Sequence, residues 1–127
     1  MKSNFKCIEL TIHDEELGCT IVFSDSKSAD NQFKTMDELM NSDEKYFLIQ
    51  RTYPEDESDK DYFYIETSES NEDLEISEKL EININENTID INWLNNQVII
   101  ELNLEKQEFK NLLNMLNTRF NEWIIVN

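Results

Sequence analysis

Alternating hydrophobic and polar residues predict that the chain begins with a β-hairpin. In the segment 5–12, "FKCIELTI", isoleucine or leucine occupies every second position from Ile8 onward. After "HDEEL", residues 18–24 alternate in the same way, with cysteine, isoleucine and phenylalanine on one face. A spacing of two is typical of strands with one buried face. The two segments therefore predict paired antiparallel strands.

Two later segments carry apolar residues on both faces. Residues 46–53 read "YFLIQRTY" and residues 61–67 read "DYFYIET". Strands of this kind are typical of the middle of a sheet, where a helix covers one side. We expect these two strands to be central and adjacent to each other.

The C-terminal half predicts a meander followed by a helix. The strand-like segments "LEINI", "TIDINW" and "VIIELNL" are separated by the turn-prone "NEN" and "LNNQ". From Glu105 the hydrophobic spacing becomes helical. The residues of this stripe are Phe109, Leu112, Leu113, Leu116, Phe120, Trp123 and Ile124. We expect an amphipathic helix that packs on the sheet.

These elements define the predicted fold class. Thr35 and Glu38 have the spacing of a capping box, which predicts a short helix near residues 36–41. A chain of 127 residues is long enough for one hydrophobic core but short for two. We predict a single α+β domain over residues 1–127, with one mostly antiparallel sheet of six to seven strands and a C-terminal helix packed on it.

The charge of the chain narrows its possible partners. With 28 acidic and 11 basic residues, the formal net charge is -17. This excess disfavours contact with nucleic acid or anionic lipid, and it attracts basic proteins. Acidic composition is also common in soluble proteins, so charge alone leaves both a basic partner and no partner open. No apolar signal region or membrane-length run occurs, and we expect a cytoplasmic protein that binds neither nucleic acid nor membrane.

The sequence offers little for catalysis. Gly18 is the only glycine, whereas phosphate-binding loops need several. His13 and Cys19 could form a thiol–histidine pair across the hairpin, but the predicted register places Cys19 opposite Ile12 and leaves His13 at the turn. One histidine with Cys7 and Cys19 does not make a zinc site, and we expect both thiols to be reduced and buried. We predict no enzymatic activity, no metal and no cofactor.

The segment "YFLIQRTYPEDESDKDYFYIE", residues 46–66, resembles the immunity protein 10 family of bacterial polymorphic toxin systems. The similarity consists of an aliphatic strand ending in Gln-Arg, an acidic loop, and a strand containing Tyr-Ile-Glu. The matching residues are Gln50, Arg51, Tyr64, Ile65 and Glu66. The later meander and helix are also similar to that family. The chain departs from the family at residues 68–77, "SESNEDLEIS", where a glycine-containing segment is expected.

The resemblance implies a cytosolic α+β protein that binds and neutralises a cognate toxin. Together with the net charge, it predicts that the toxin is basic and meets an acidic surface. The candidate partner-binding residues are Tyr53, Glu55, Asp56, Glu57, Asp59, Asp61 and Trp93. Trp93 could equally be a core residue or a partly exposed anchor. Arg51 is expected to be structural and to hold a carboxylate such as that of Glu66.

Two other functions remain open from the sequence. An acidic mimic of nucleic acid, of the antirestriction or anti-CRISPR type, would use the same charge but needs acids spread over an extended face. Here the acids concentrate in residues 55–81, with a second group at residues 14–16. A small hydrolase would need a pocket with perturbed carboxylates, for which the sequence supplies no nucleophile. The oligomeric state is not indicated.

Overall fold

The computed structural model describes residues 2–26, 44–54, 62–68, 71–74, 80–85, 87–121 and 124–126. Within them the chain forms ten strands and one helix, which confirms the α+β class. The strands are β1 Lys2–Lys6, β2 Glu9–Glu15, β3 Gly18–Ser24, β4 Tyr46–Thr52, β5 Tyr62–Thr67, β6 Asn71–Leu74, β7 Leu80–Ile84, β8 Thr88–Trp93, β9 Asn96–Glu101 and β10 Ile124–Val126. The helix α1, Lys106–Arg119, lies between β9 and β10.

The strands form two five-stranded sheets rather than one sheet of six to seven strands. The first sheet has the order β1-β9-β8-β7-β10, and the second has the order β2-β3-β4-β5-β6. Pairing is antiparallel except for β1 with β9 and β10 with β7. An alternating pattern specifies which face of a strand is buried, but it does not specify which strands pair. The number of sheets therefore could not be read from the periodicity.

The chain passes from the first sheet to the second within the segment that the sequence predicted as one strand. The amide of Cys7 donates to the carbonyl of Glu101 in the first sheet, at 2.8 Å. The next amide, that of Ile8, donates to the carbonyl of Ser24 in the second sheet, at 2.7 Å. The predicted strand over residues 5–12 is therefore divided between β1 and β2.

The opening hairpin is confirmed as β2 and β3, but its predicted register is wrong. Cys19 pairs with Asp14 rather than with Ile12. His13 pairs with Thr20 within the strand instead of lying at the turn. The register differs because only two residues form the turn, which is shorter than the predicted "HDEEL" loop.

The central pair and the meander agree with the sequence. β4 lies between β3 and β5 in the second sheet, and β7, β8 and β9 pair consecutively in the first. The strand β6 was not predicted, because it lies inside the acidic stretch and carries no apolar alternation. The predicted short helix near residues 36–41 falls outside the described residues.

The hydrophobic core lies between the two sheets. The rings of Phe47 in the second sheet and Trp93 in the first are 5.6 Å apart between centroids. Trp93 is 2% exposed, so its prediction as a partly exposed partner anchor is wrong. It continues the inward-facing alternation of Ile89 and Ile91, which are also buried. Burial of each such side chain contributes about 1.5–3 kcal/mol.

The closing helix is confirmed, and its inner face is buried. Leu112 and Leu116 are fully buried, and Phe120, just beyond the last turn, has its ring 6.2 Å from that of Phe63. The helix ends at Arg119, however, so the predicted helical stripe is wrong at Ile124. That residue belongs to β10 and gains hydrogen bonds by pairing with β7. Trp123 lies outside the described residues.

The turn between β8 and β9 contains a backbone conformation that side chains rarely adopt. Leu94 has φ of 50°, and its side chain is exposed. Two-residue hairpin turns need positive φ, which is usually supplied by glycine or asparagine. The connection therefore carries local strain at Leu94. Across the part of the chain that is described, no helix is long and apolar enough to cross a bilayer.

Candidate functional site

The outer face of the second sheet carries a patch of aromatic, apolar and carboxylate side chains. These residues alternate with the buried ones along β3, β4 and β5, so they share the face that points away from the core. Each of them is half-buried. We call this patch the tyrosine face, and it consists of Thr20, Val22, Tyr46, Leu48, Gln50, Tyr64 and Glu66.

Two tyrosine hydroxyls hold the carboxylate of Glu66. Tyr46 donates to Oε2 at 3.0 Å, and Tyr64 donates to Oε1 at 2.8 Å. Tyr64 precedes Glu66 by two positions on β5, whereas Tyr46 reaches it from β4. Burial, followed by the hydrogen bond to Glu66, raises the pKa of Tyr46 to about 12. The hydroxyl therefore stays protonated at neutral pH and remains a donor.

The rest of the tyrosine face supports this group. Leu48 pairs with Glu66 on one side and with Val22 on the other, so Glu66 has one apolar cross-strand neighbour and a second apolar residue lies beyond it. In the next row, Gln50 pairs with Tyr64, and its Nε2 donates to Oγ1 of Thr20 at 3.0 Å. Side chains in adjacent rows of a sheet restrict one another's rotamers. Hydrogen bonds within the protein therefore connect the side chains of the face.

A shallow groove of about 460 Å³ continues from the tyrosine face to the tip of the first hairpin. Its lining residues are His13, Glu15, Leu17, Gly18, Thr20, Gln50 and Thr52. At the tip, Leu17 is 67% exposed, and Glu15 and Glu16 beside it are also exposed. The groove thus runs from the acidic hairpin tip to Thr20 and Gln50, which belong to the tyrosine face.

The acidic loop starts at the same end of the sheet as this hairpin tip. Thr52, at the end of β4, pairs with Gly18 and with Tyr62, the first residue of β5. The amide of Tyr53 donates to the carbonyl of Leu17 at 3.0 Å. Both ends of the loop are therefore fixed beside the acidic hairpin. The loop candidates Glu55, Asp56, Glu57, Asp59 and Asp61 lie outside the described residues.

A polar cluster ties the same end of the sheet to the helix. We call it the clasp, and it consists of Asp14, Arg51, Tyr53 and Arg119. Asp14 accepts from the Tyr53 hydroxyl at 2.5 Å and from Nε of Arg119 at 2.8 Å. Arg51 donates from Nη1 to the carbonyl of Arg119 at 3.0 Å, and its guanidinium lies 5.0 Å from the centre of the Tyr53 ring.

The clasp changes the ionisation of its members. The Tyr53 hydroxyl and then Arg119 lower the pKa of Asp14 below its usual value. Burial, followed by the hydrogen bond to Asp14, raises the pKa of Tyr53 to about 12. At neutral pH, Asp14 is therefore charged and Tyr53 is neutral, which is the pair of states that the hydrogen bond requires.

Arg51 makes structural contacts, but with a different group from the one expected. It lies on the inner face of β4, whereas Glu66 lies on the outer face of β5. The predicted contact between Arg51 and Glu66 is therefore wrong. The five residues of the family resemblance divide accordingly, with Gln50, Tyr64 and Glu66 outside and Arg51 and Ile65 inside.

The two thiols are buried and free, as expected. Burial raises the pKa of both Cys7 and Cys19 to about 11, so each is protonated at neutral pH. A neutral, buried thiol is a poor nucleophile. The ring of His13 lies 4.0 Å from the Glu15 carboxylate on the exposed side of the hairpin. Across the described ranges, no three side chains of His, Cys, Asp or Glu are grouped as metal ligands.

Three residues of these clusters were missed from the sequence. Tyr46 begins a predicted strand, but only the register shows that it reaches Glu66 from the neighbouring strand. Asp14 and Arg119 are separated by 105 positions, and nothing local relates them. Comparison with models of protein families finds no match for this chain. Comparison with curated proteins finds no match either.

Proposed function

We propose that this protein is a cytoplasmic immunity protein, which binds a basic protein toxin and neutralises it. The observation that carries the proposal is the joint position of two acidic segments. Glu15 and Glu16 occupy the tip of the first hairpin, and the acidic loop starts and ends beside them at Thr52 and Tyr62. The two strand ends that flank the acidic segment 55–61 therefore lie at the end of the sheet that carries Glu15 and Glu16.

The net charge of the chain supports a basic partner. At -17, the molecule attracts cations over distances longer than direct contact, and it repels phosphate-rich polymers. Because β4 and β5 are central strands, the base of the acidic loop is held on both sides. A charged surface with a fixed base can orient an approaching partner as well as attract it.

The contents of the groove favour binding over catalysis. The groove contains one histidine, and the buried thiols lie on the other side of the sheet. Leu17 supplies an exposed apolar side chain among carboxylates, a combination suited to the centre and rim of a protein interface. The sequence resemblance to immunity protein 10 supports a toxin as the partner. Residues 68–77 differ from that family because they contain no glycine.

Co-expression tests the proposed function. If a gene beside this chain's gene encodes a protein with a basic C-terminal domain, that domain would be produced in bacteria with and without the protein. We expect growth only when the protein is present, together with a complex that survives gel filtration at moderate salt. Growth arrest in both cases, with no complex, would contradict the proposal. Binding to a restriction enzyme or a CRISPR nuclease instead would favour the nucleic-acid mimic.

A matched pair of variants locates the binding surface. Glu15→Gln with Glu16→Gln removes two charges from the hairpin tip. Glu81→Gln with Glu101→Gln removes two charges from the outer face of the first sheet, where both side chains are exposed. The hairpin-tip variant should weaken the complex more than its control. Equal weakening would show that total charge, rather than this end of the sheet, determines binding.

A further inference from the structure

The Glu66 carboxylate has acceptor capacity beyond its two tyrosine contacts. Each oxygen accepts one hydroxyl, Oε2 from Tyr46 and Oε1 from Tyr64. A carboxylate oxygen has two lone pairs. Among the described residues, no third side chain donates to Glu66. One acceptor position on each oxygen therefore remains for a donor from outside the molecule.

The surroundings of Glu66 suit a long cationic side chain. Leu48 beside Glu66, and Val22 on the strand beyond it, provide apolar surface against which a methylene stem can pack. The hydroxyls of Tyr46 and Tyr64 reach the carboxylate from two neighbouring strands, which brings two aromatic side chains near it, and aromatic faces attract cations. Because the site is half-buried, a charge pair formed there is screened less by salt than a fully exposed pair.

We infer that Glu66, flanked by Tyr46 and Tyr64, receives an arginine side chain of the partner, an inference that rests on the proposed function. The negative charge of the whole molecule favours a cationic occupant. Arginine fits better than lysine because its planar fork presents two parallel donors, which match the two open positions on one carboxylate. The groove runs from the hairpin tip to Gln50, which pairs with Tyr64, so a basic segment lying in the groove would end beside this site.

The test uses a short peptide and does not depend on the toxin. Acetylated hexa-arginine would be titrated into the protein at low salt, with amide shifts followed by NMR. Four proteins are compared: wild type, Glu66→Gln, Glu66→Asp and Glu101→Gln. Glu101→Gln removes the same charge from an exposed site on the first sheet, and Glu66→Asp keeps the charge but shortens the side chain.

We expect Glu66→Gln to weaken peptide binding about tenfold, which is the effect of losing a charge-assisted bidentate contact. Glu66→Asp should weaken it nearly as much, although the net charge is unchanged. Glu101→Gln should have little effect. Hexa-lysine should bind the wild type more weakly, and its binding should respond less to Glu66→Gln. Shifts should centre on the strands that carry Leu48, Tyr64 and Glu66.

Several results would overturn the inference. Equal weakening by Glu66→Gln and Glu101→Gln would show that the peptide responds only to total charge. Wild-type affinity in Glu66→Asp, or no binding to the wild type, would also reject the arginine site. If Glu66→Gln lowers the melting temperature strongly, Glu66→Asp carries the test. If the peptide binds at Glu66 but the protein does not protect bacteria from the toxin, the proposed function is rejected and the arginine site is kept. If Glu66→Gln protects bacteria as well as the wild type does, the arginine site is rejected and the proposed function is kept.

Discussion

Gly18, at the end of the second sheet, allows β3 and β4 to approach each other closely. Gly18 is the only glycine in the chain, and it faces Thr52 across the β3–β4 pair. A Cβ atom at this position would lie 2.5 Å from the backbone carbonyl oxygen of Arg51. Backbone atoms cannot move aside as a flexible side chain can, so the position requires glycine.

Replacing Gly18 should therefore destabilise the protein. We expect Gly18→Ala to lower the free energy of unfolding by about 1–3 kcal/mol, because the strands must separate locally. Urea unfolding measures the loss. Glu15→Ala is the matched control, because Glu15 pairs with Gly18 but is exposed, and it should change stability by less than about 0.5 kcal/mol. An unchanged midpoint for Gly18→Ala would mean that the close approach is not needed.

The clasp predicts a specific change in acid stability. Because the pKa of Asp14 is lowered in the folded state, its contribution to stability is present above its ordinary pKa and disappears as pH falls through the lowered value. Asp14→Asn should destabilise the protein near neutral pH, and the difference from wild type should shrink below about pH 4. Thermal melting across a pH series measures this.

A control is needed to separate the effect of removing one charge on stability from the effect of losing the clasp contacts. Glu16→Gln removes a neighbouring exposed carboxylate, and we expect it to leave the difference from wild type small at every pH. A gap between wild type and Asp14→Asn that stays constant down to pH 2 would show that the carboxylate's ionisation does not stabilise the fold.

At the scale of elements, the turn between β8 and β9 can be improved. Leu94 has positive φ and an exposed side chain, so it carries strain without contributing to the core. We expect Leu94→Gly to raise the free energy of unfolding by about 0.5–1 kcal/mol, because relief of strain exceeds the added flexibility of the unfolded chain. Asn95→Gly, next to it with no positive φ, should not stabilise. The urea midpoints of the two variants are compared with that of the wild type, and a midpoint for Leu94→Gly no higher than wild type would contradict the prediction.

The helix α1 contributes to the core through its inner face. Leu116→Ala should lower the free energy of unfolding by about 2–5 kcal/mol, because Leu116 is fully buried. Asn117→Ala, one position further along and exposed, should cost less than about 0.5 kcal/mol. Both are measured by urea unfolding. Similar midpoints would contradict the packing of α1 on the core.

The elements also show what the sequence could specify. The central strands, the meander and the helix were predicted because alternation, turn residues and helical spacing are local signals. The division into two sheets was not predictable, because a strand pattern does not identify its neighbour. Ile124 happens to fall at a position that continues the helical spacing. Only its pairing with Leu80 shows that Ile124 belongs to a strand.

The candidate site was predictable to a similar extent. The family resemblance selected Gln50, Tyr64 and Glu66, which the structure places on one face. It could not separate these from Arg51, because a strand motif lists both faces together. The clasp and the Tyr46 contact depend on register and on the packing of distant segments, which a single sequence does not reveal.

At the scale of the whole molecule, the acidic charge should control how fast a basic toxin binds. Neutralising Glu55, Asp56, Glu57 and Asp59 together should slow association and flatten its salt dependence, because charges at an interface rim act mainly on the on-rate. The wild-type rate should approach ~10⁸ M⁻¹s⁻¹ at low ionic strength and fall with added salt. Stopped-flow measurements across a salt series provide both quantities.

The control for the fourfold variant removes acidic charges from the first sheet instead of from the acidic loop. Glu81→Gln with Glu101→Gln should alter the salt slope less for each charge removed, and melting temperatures confirm that each protein is folded. Identical slopes for wild type and the fourfold variant would show that the acidic loop does not steer the partner. The hairpin tip at Glu15 and Glu16 would then be the surface to examine.

The order of strands also has a consequence during synthesis of the chain. The second sheet is made of consecutive strands, so each can join its neighbour soon after leaving the ribosome. The first sheet needs β10, residues 124–126, beside β7, and such distant pairings form slowly. Until then, the edge of β7 offers unpaired backbone to other nascent chains. The charge of -17 makes those chains repel one another, so the acids that we propose attract a toxin should also protect the unfinished protein from aggregation.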